Sequence, residues 1–452
     1  MKFPLLFGLL LAFALISCRN TAQTAVNFPK LPSISDDSLL NLVEYQTFRY
    51  FWDRAEPNSG MACERVNAND IYPENDKNII TTGGSGFGFM AVLTGIERGF
   101  VSREKAMLRF EKNVDFLKKA DRFHGAWPHW LNGETGKVKP FGTKDDGADL
   151  VETSYMMQGL LCVRQYFKDG NEREKKLAAD IDQLWRGVEW SWFTQGGKDV
   201  IYWHWSPKYG WEMNFPVEGY NECLILYVMA ASSPTYPVGA GAYHLGWARN
   251  GGIMNDAEAY GYKMSLKHNG APKYGGPLFW AHYSYLGLDP RNLEDKYANY
   301  WEHNVNQTMI NYKWCVENPK KFKGYSPNCW GLTASYSHNF YAGHAPGMEN
   351  DLGVITPTAA VSSLPYAPEQ SMNAIRYFYH DLGSQLWGDY GFYDAFSLDD
   401  NWFPKQYLAI DQGPEIVMIE NYRTALLWKL FMSCPEVKSG LGVLGFKGYS
   451  QE

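Results

Sequence analysis

Residues 144–155 read KDDGADLVETSY. They set three aspartates, Asp145, Asp146 and Asp149, in a glycine-broken lead-in to an apolar run, with Glu152 about one turn further on. The run that follows carries Met156, Met157, Leu160, Leu161 and Val163, the pattern of a helix that must be enclosed. Carboxylates at such a helix start can cap it and compensate its dipole, each worth roughly 0.3–1 kcal/mol. They can also line a site where several helix N-termini converge. The arrangement recurs. GYNECLILYVMAA sets Glu222 at the start of a second apolar run, and AIDQGPEIVMIENY sets Asp411 just before a third. Three recurrences favour a shared carboxylate site over three unrelated caps.

Positioning such acids requires a frame that brings distant helix ends together. The hydrophobic spacing predicts helices over 36–55, 85–97, 102–120, 147–167, 172–193, 219–231, 277–287, 293–316, 356–364, 368–381 and 413–432, with 237–249 ambiguous. Two kinds alternate. One kind, such as 102–120, 172–193 and 293–316, is charged on one face and suits an outer layer. The other, such as 85–97, 147–167 and 219–231, is apolar or small on nearly all sides and must be enclosed. Six enclosed helices alternating with six outer ones describe an all-α fold, an (α/α)6 toroid. A helical solenoid is the competing architecture, but no fixed repeat period is present. In a toroid the inner helices run parallel, and their N-terminal ends with the preceding loops form one rim. Asp145, Asp149, Glu152, Glu222 and Asp411 all fall at that rim, as do the aromatic loops with Trp203, His204, Trp205, Trp211 and Trp330.

The composition narrows the function classes. A net charge of -7 and the absence of a basic stripe argue against nucleic acid as a partner. Aromatics make up 16% of the 452 residues, with 17 Trp and 30 Tyr, more than a core of this size needs. Aromatic faces beside polar groups suit sugar rings, whose C–H faces stack while their hydroxyls hydrogen bond. Core packing is the competing explanation for any single tryptophan.

The chain opens with Lys2 and an apolar stretch from Leu5 to Ile16, too short for a stable membrane span. It ends Leu15-Ile16-Ser17-Cys18, which is similar to the lipoprotein signal of bacteria. This gives three expected segments: a signal peptide over 1–17, a polar tether over 18–35, and one domain over 36–452. Cys18 would be the lipidated residue, and the protein would be exported and attached to the outer membrane, on its periplasmic side or at the cell surface, only through that lipid. Of seven cysteines, Cys162, Cys223 and Cys434 lie in apolar helical runs and read as buried thiols, while Cys63, Cys315 and Cys329 are less clear. With no CxxC pair, neither a zinc site nor a dense disulfide framework is indicated.

Acids over an aromatic, polar funnel suit glycosidic bond cleavage. One protonated carboxyl donates to the leaving oxygen, and a second carboxylate activates water or attacks directly. Partial burial beside other carboxylates raises a carboxyl's pKa, as the donor role needs. Other chemistries fit less well. Gly83-Gly84-Ser85-Gly86-Phe87-Gly88 lacks the Lys-Ser/Thr of a phosphate loop and reads as a close-packed helix start. Residues 67–78, NANDIYPENDKN, are oxygen-rich without calcium-loop spacing and read as a solvated loop. No HExxH and no GxSxG occurs. No metal and no cofactor is expected.

Taken together, FRYFWDRAEP, TTGGSGFGFM, DDGADLVETSYMMQGLL, GYNE and IDQGPEIVMIENYRTALLW resemble the bacterial glucoamylase-like domain, and more narrowly glycoside hydrolase family 144, the β-1,2-glucanases. The resemblance covers essentially the whole chain after the signal. It implies an (α/α)6 fold, inverting hydrolysis of β-1,2-glucan, and sophorose or short oligosaccharides as products. It further implies Glu222 as general acid and Asp411 as base, the latter reaching water through a substrate hydroxyl, with Asp145, Asp149 and Glu152 holding the sugar. The expected substrate-binding set adds Trp127, His129, His204, Trp205, Trp211, Tyr220, His282, His344 and Gln412. The expected partner is a glucan or oligosaccharide, and the expected state is a monomer. Hydrolysis of another glucan, and a surface glycan-binding lipoprotein without activity, are the alternative readings.

Overall fold

A computed structural model describes residues 28–72, 76–338 and 341–449. The expected signal peptide, Cys18 and most of the tether lie outside the described residues. Thirteen α-helices run through the described residues: α1 (Asp36–Asp53), α2 (Thr82–Glu97), α3 (Arg103–Leu117), α4 (Leu150–Phe167), α5 (Glu172–Arg186), α6 (Leu224–Ser232), α7 (Tyr300–Glu317), α8 (Pro357–Val361), α9 (Pro368–Arg376), α10 (Gly383–Leu386), α11 (Ala409–Thr424), α12 (Leu426–Met432) and α13 (Pro435–Val443).

The enclosed helices are those whose sequences are apolar all round. Every residue of α2 from Thr82 to Gly95 is buried, as is every residue of α4 from Leu150 to Gln165 and every residue of α6. They form a closed ring. α2 packs between α4 and α11, α4 against α6, and α11 against α8. The turns over Leu278–Tyr285 close the gap between α6 and α8, with His282 Nε2 3.0 Å from Ser363 Oγ and Tyr366 donating its hydroxyl to the Ala281 carbonyl. The charged helices lie outside: α1 against α2 and α11, α3 against α2 and α5, α5 against α4, and α9 against α8. One apolar cluster takes in residues from Leu39 to Phe446, with a small satellite of Ala259, Met264 and Ile310. The ring architecture is the expected (α/α)6 toroid.

The glycine-rich stretch at the start of α2 serves helix contact. A Cβ on Gly86 would meet the Tyr155 carbonyl oxygen at 2.2 Å, and one on Gly159 would meet the Gly86 carbonyl at 2.0 Å. Only glycine on both helices lets the α2 and α4 backbones approach this closely.

Several elements depart from the pattern. The expected helix over 277–287 is two short 3-10 turns, Leu278–Ala281 and Tyr283–Tyr285. Neighbouring side chains take the carbonyls a helix would use: Tyr366 bonds Ala281, Gln158 reaches Tyr283 and Ser284, and Trp428 bonds Tyr285. The ambiguous 237–249 segment holds a π-helical turn, Ala242–Trp247. The run 413–432 divides at Ala425, whose φ of +58° ends α11, while Asn421 accepts from the N–H groups of Leu427 and Trp428 at the start of α12. The end of the expected tether is docked rather than loose. Leu31 N–H donates to the His380 carbonyl at 3.0 Å, Lys30 pairs with Asp381, and Ser35 caps α1. All six described cysteines are buried free thiols, including Cys63, Cys315 and Cys329. No described helix is long and apolar enough to cross a membrane.

Candidate active site

The inner helix starts converge on one rim. Asp149 is the N-cap of α4, and its Oδ1 accepts from Glu152 N–H at 2.9 Å. Capping and site-building are therefore the same act at this residue. Glu152 points back to the start of α2, where its Oε2 accepts from Gly83 N–H at 2.8 Å. A Cβ at Gly83 would lie 2.5 Å from that oxygen. Glu222 sits in the turn before α6, its carbonyl receiving the hydroxyls of Ser284 and, at 3.3 Å, Tyr155. Ser284 Oγ in turn accepts from Ile225 N–H at 3.1 Å, so one hydroxyl fixes both the acid's backbone and the first turn behind it. Asp411 lies in the first turn of α11, and its carbonyl accepts the Thr358 hydroxyl from α8.

A cavity of about 430 Å³ opens over this rim. Its acids are Glu64, Glu152 and Glu222. Its aromatic wall is Trp130, Phe141, Tyr155, Trp203, Phe279, Tyr283, Tyr336 and Tyr341, with His129, Arg65, Thr81, Val151, Leu408 and Ile410 completing the lining. Trp203 belongs both to this wall and to the acid network, because its Nε1–H donates to Asp149 Oδ1 at 2.9 Å.

The charges are strongly coupled. His129 Nδ1 lies 2.9 Å from Asp149 Oδ2, and the His129 ring stacks on Phe141 at 4.1 Å between centroids. Burial alone would depress the imidazole, but Glu152, Asp149 and Asp145 outweigh it and lift its pKa to about 9. Burial likewise pushes Asp149 up, and the bonds and charge of His129 and His204 more than reverse it, leaving this aspartate ionised. His204 Nε2 stands 3.5 Å from Asp145 and 3.6 Å from Asp149. Burial and the Asp149 charge raise Asp145 to about 7. Burial raises Glu152 to about 7 against the opposing pull of His129. Glu222 is also raised to about 7, chiefly by burial, with smaller contributions from Glu152 and Asp149. One rim thus holds a fixed anion, Asp149, and a carboxyl, Glu222, that keeps its proton to near neutrality. That separation of acid strengths is what general acid catalysis requires.

His129, Asp145 and Asp149 bring donor atoms within 4.8 Å of one another and are the described residues best placed to hold a metal ion. Two of the three are already engaged: Asp149 Oδ1 accepts from Trp203 and from Glu152 N–H, Oδ2 pairs with His129, and His129 is held as a cation.

The candidate residues divide. His129, Glu152 and Glu222 line the cavity, and Asp145, Asp149 and His204 stand directly behind His129. Asp411 is 2% exposed, one residue beyond the lining Ile410. The rest of the expected binding set lies elsewhere. Trp127 is fully buried, its Nε1–H on the Leu117 carbonyl. Trp205 follows His204 on a two-residue strand and so faces the other way, packing on His124 and Trp192. Trp211 packs at a tilt on Trp192 in a separate depression. Tyr220, His282 and His344 are buried, Tyr220 beside Tyr285 and His268 and His282 on Ser363. Gln412 donates to the Phe392 carbonyl. Trp127, Tyr220, His282, His344 and Gln412 are thus buried, whereas Trp205 and Trp211 are half-buried away from this cavity. Glu64, Arg65, Tyr336 and Tyr341 are lining residues that no motif marked. Arg65, Tyr336 and Tyr341 reach the cavity from short strands, Arg65–Asn67, Ala334–Tyr336 and Tyr341–Gly343, too brief to leave a period in the sequence, and Glu64 immediately precedes the first.

Comparison with known proteins bears on the fold and the family. A solved structure titled as an endo-β-1,2-glucanase from Chitinophaga pinensis, in complex with sophorotriose and glucose, is 64% identical, with a TM-score of 0.91 over 92% of this chain and 99% of that one. The chain belongs to the β-1,2-glucanase family. A family model described as "Putative glucoamylase" matches residues 214–435. An exo β-1,2-glucooligosaccharide sophorohydrolase (non-reducing end) of Parabacteroides distasonis is 46% identical across 93% of this chain, which spans 59% of that relative's length. An endo-β-1,2-glucanase of Talaromyces funiculosus shares only 11% identity at a TM-score of 0.66 over 88% of this chain and 87% of that one, a likeness of fold alone. The β-1,2-glucanase family thus supplies the toroid that the helix pattern implied.

Proposed function

We propose that this chain is a glycoside hydrolase that cleaves β-1,2-glucan, with inversion, to sophorose or short β-1,2-gluco-oligosaccharides. The observation that carries the reading is the 64% identity, along almost the whole of its length, to a protein titled an endo-β-1,2-glucanase with sophorotriose bound. The rim supports it. Glu222, protonated near neutrality because it is buried, donates its proton to the glycosidic oxygen as that bond breaks. Water attacks the anomeric carbon from the opposite face and loses a proton to Asp411 through a hydroxyl of the bound sugar. Glu152, at the cavity, faces the sugar at the cleavage point, while Asp149, with Asp145 beside it, holds His129 and keeps negative charge near the developing oxocarbenium ion.

Incubating the protein with linear β-1,2-glucan and, separately, with starch tests this reading. Sophorose or short β-1,2-oligomers from the first alone are the expected products. Glucose from starch would replace the substrate assignment with the glucoamylase activity named by the matching family model. Thermal stabilisation by glycan without any product would favour a binding protein. Export with a lipid on Cys18 belongs to the same proposal, supported by the Leu15-Ile16-Ser17-Cys18 sequence. Mass spectrometry of the mature N-terminus tests it, and an unmodified Cys18 would refute it.

A further inference from the structure

The loop that follows α5 carries an aromatic platform that the proposed reaction does not use. Residues Trp190–Thr194 form a 3-10 turn. Its three-residue repeat puts Trp190 and Phe193 inward, both fully buried, and leaves Trp192 and Gln195 on the open side. Trp192 is held from several directions. His124 stacks on it at 3.4 Å between centroids and 10° between planes, and His124 Nδ1 in turn lies 2.9 Å from Glu189 Oε2. Trp211 packs on it at 4.7 Å and 32°, and Trp205 meets it edge-on at 5.4 Å. Trp192 and Trp211 line a depression of about 570 Å³, together with Tyr236, which is 41% exposed, and the polar side chains of Glu189, Ser191 and Gln195.

This lining selects its ligand. The two indoles pack on each other, so they make one joined surface and not a cage around a cation. No lysine or arginine is among the described residues that line the depression, which disfavours phosphate and other anions. A carboxylate, a hydroxyl, an amide and a phenol surround the rings, and an apolar partner would leave them unpaired. Aromatic rings flanked by such groups match a pyranose, whose C–H face stacks while its hydroxyls bond. A single wall separates the depression from the acid rim. His204 and Trp205 are consecutive on one two-residue strand and point to opposite sides: His204 Nε2 stands 3.5 Å from Asp145, while Trp205 meets Trp192.

We propose that Trp192, Trp211 and Tyr236 form a second glucan-binding site outside the cavity, which holds a further segment of the polysaccharide being cleaved. The identity of the sugar rests on the hydrolase reading above. Because the segment is tethered to the one in the cavity, the site raises the local concentration of polymer at the rim and does nothing for a substrate too short to reach it. Trp192 is already fixed by His124 and Trp211, so little ordering is lost on binding.

The test compares wild type with Trp211→Ala and with Tyr236→Ala, the milder change at the exposed edge. Retardation in native gels containing linear β-1,2-glucan, against gels without it, reads binding. Kinetics on the polymer and on the shortest β-1,2-gluco-oligosaccharide that wild type cleaves read its consequence. Each variant is expected to be retarded less than wild type and to show a KM for polymer raised about two- to tenfold. Its kcat on polymer and its kcat/KM on the short oligosaccharide should stay unchanged. Wild-type retardation and wild-type polymer KM in both variants would overturn the site, as would a wild type that the glucan does not retard. An equal loss on the short oligosaccharide would also overturn it, because the effect would then lie in the cavity. Should Trp211→Ala not fold, Tyr236→Ala decides by the same readings. If wild type cleaves no glucan, the hydrolase reading fails and retardation alone decides the site: weaker in the variants supports it, equal overturns it.

Discussion

His129 Nδ1 stands 2.9 Å from Asp149 Oδ2, with the aspartate fully buried and the histidine side chain 21% exposed at the cavity. The pair sets the electrostatics of the whole rim. His129 is lifted from an ordinary 6.5 to about 9, so it is a cation throughout the neutral range. Its stabilising contribution is fully present below about 6.5 and is lost as pH rises through about 9. Asp149 is held below its ordinary 3.8, so its contribution persists above that value and is lost only in stronger acid. His129→Gln is therefore expected to destabilise the protein between pH 5 and 7 by on the order of 2 kcal/mol. The difference from wild type should close above about pH 9. Denaturant melts across pH check this, and a difference independent of pH would show that the imidazole acts by packing on Phe141 alone.

Glu222→Gln is expected to keep the melting temperature of the wild type and to lose about 10²- to 10⁴-fold in turnover. Because the donor must carry its proton, wild-type kcat should fall as pH rises through about 7, the value to which burial raises Glu222. In the variant that alkaline limb should vanish from the residual activity. Near wild-type turnover in Glu222→Gln would transfer the acid role to Glu152, which burial also raises to about 7.

The two kinds of residue in this site differ in how plainly the sequence displayed them. Asp145, Asp149, Glu152, Glu222 and Asp411 were legible because each sits at the start of an apolar run, and a buried helix must begin somewhere definite. The alternation of α2, α4 and α6 with α3 and α5 was legible for the same reason, since an enclosed helix is apolar on every face. Tyr220, His282 and Trp127 misled because a polar tip on an aromatic ring satisfies itself as readily in a core as on a sugar. Glu64 and Tyr341 stayed hidden because the strands that place them are three residues long: Glu64 precedes Arg65–Asn67, which pairs with the distant Gln406–Leu408, and Tyr341 opens a strand that pairs with the nearby Ala334–Tyr336.

The contact between α2 and α4 is a stability determinant remote from the chemistry. Gly86→Ala would drive a methyl to 2.2 Å from the Tyr155 carbonyl, a backbone atom that cannot rotate away. The helices must separate, and α4 carries Asp149 and Glu152 at its start. A loss of about 1–3 kcal/mol or more is expected in denaturant unfolding. Gly239→Ala serves as the comparison, because nothing lies within 4 Å of a Cβ there. Equal stability of the two variants would mean that the close approach of α2 and α4 is not needed.

Gly83→Ala separates site geometry from stability. Its Cβ would lie 2.5 Å from Glu152 Oε2 and 2.9 Å from Tyr155 Cδ2, both side-chain atoms that can shift. The backbone therefore accommodates the change more easily than at Gly86, and the melting temperature should fall less. The carboxylate cannot shift without losing its bond to the Gly83 N–H, the one donor that opposes the rise in its pKa from burial and from Asp149 beside the cation of His129. Glu152 should then hold its proton to higher pH and present a neutral face to the bound sugar. The expected result is a KM raised several-fold at pH 6 to 7, with a smaller effect on kcat, measured on β-1,2-glucan of defined length. If kcat fell and KM did not, Glu152 would act in the bond-breaking step instead of holding the sugar, and the division of labour between it and Glu222 would have to be redrawn.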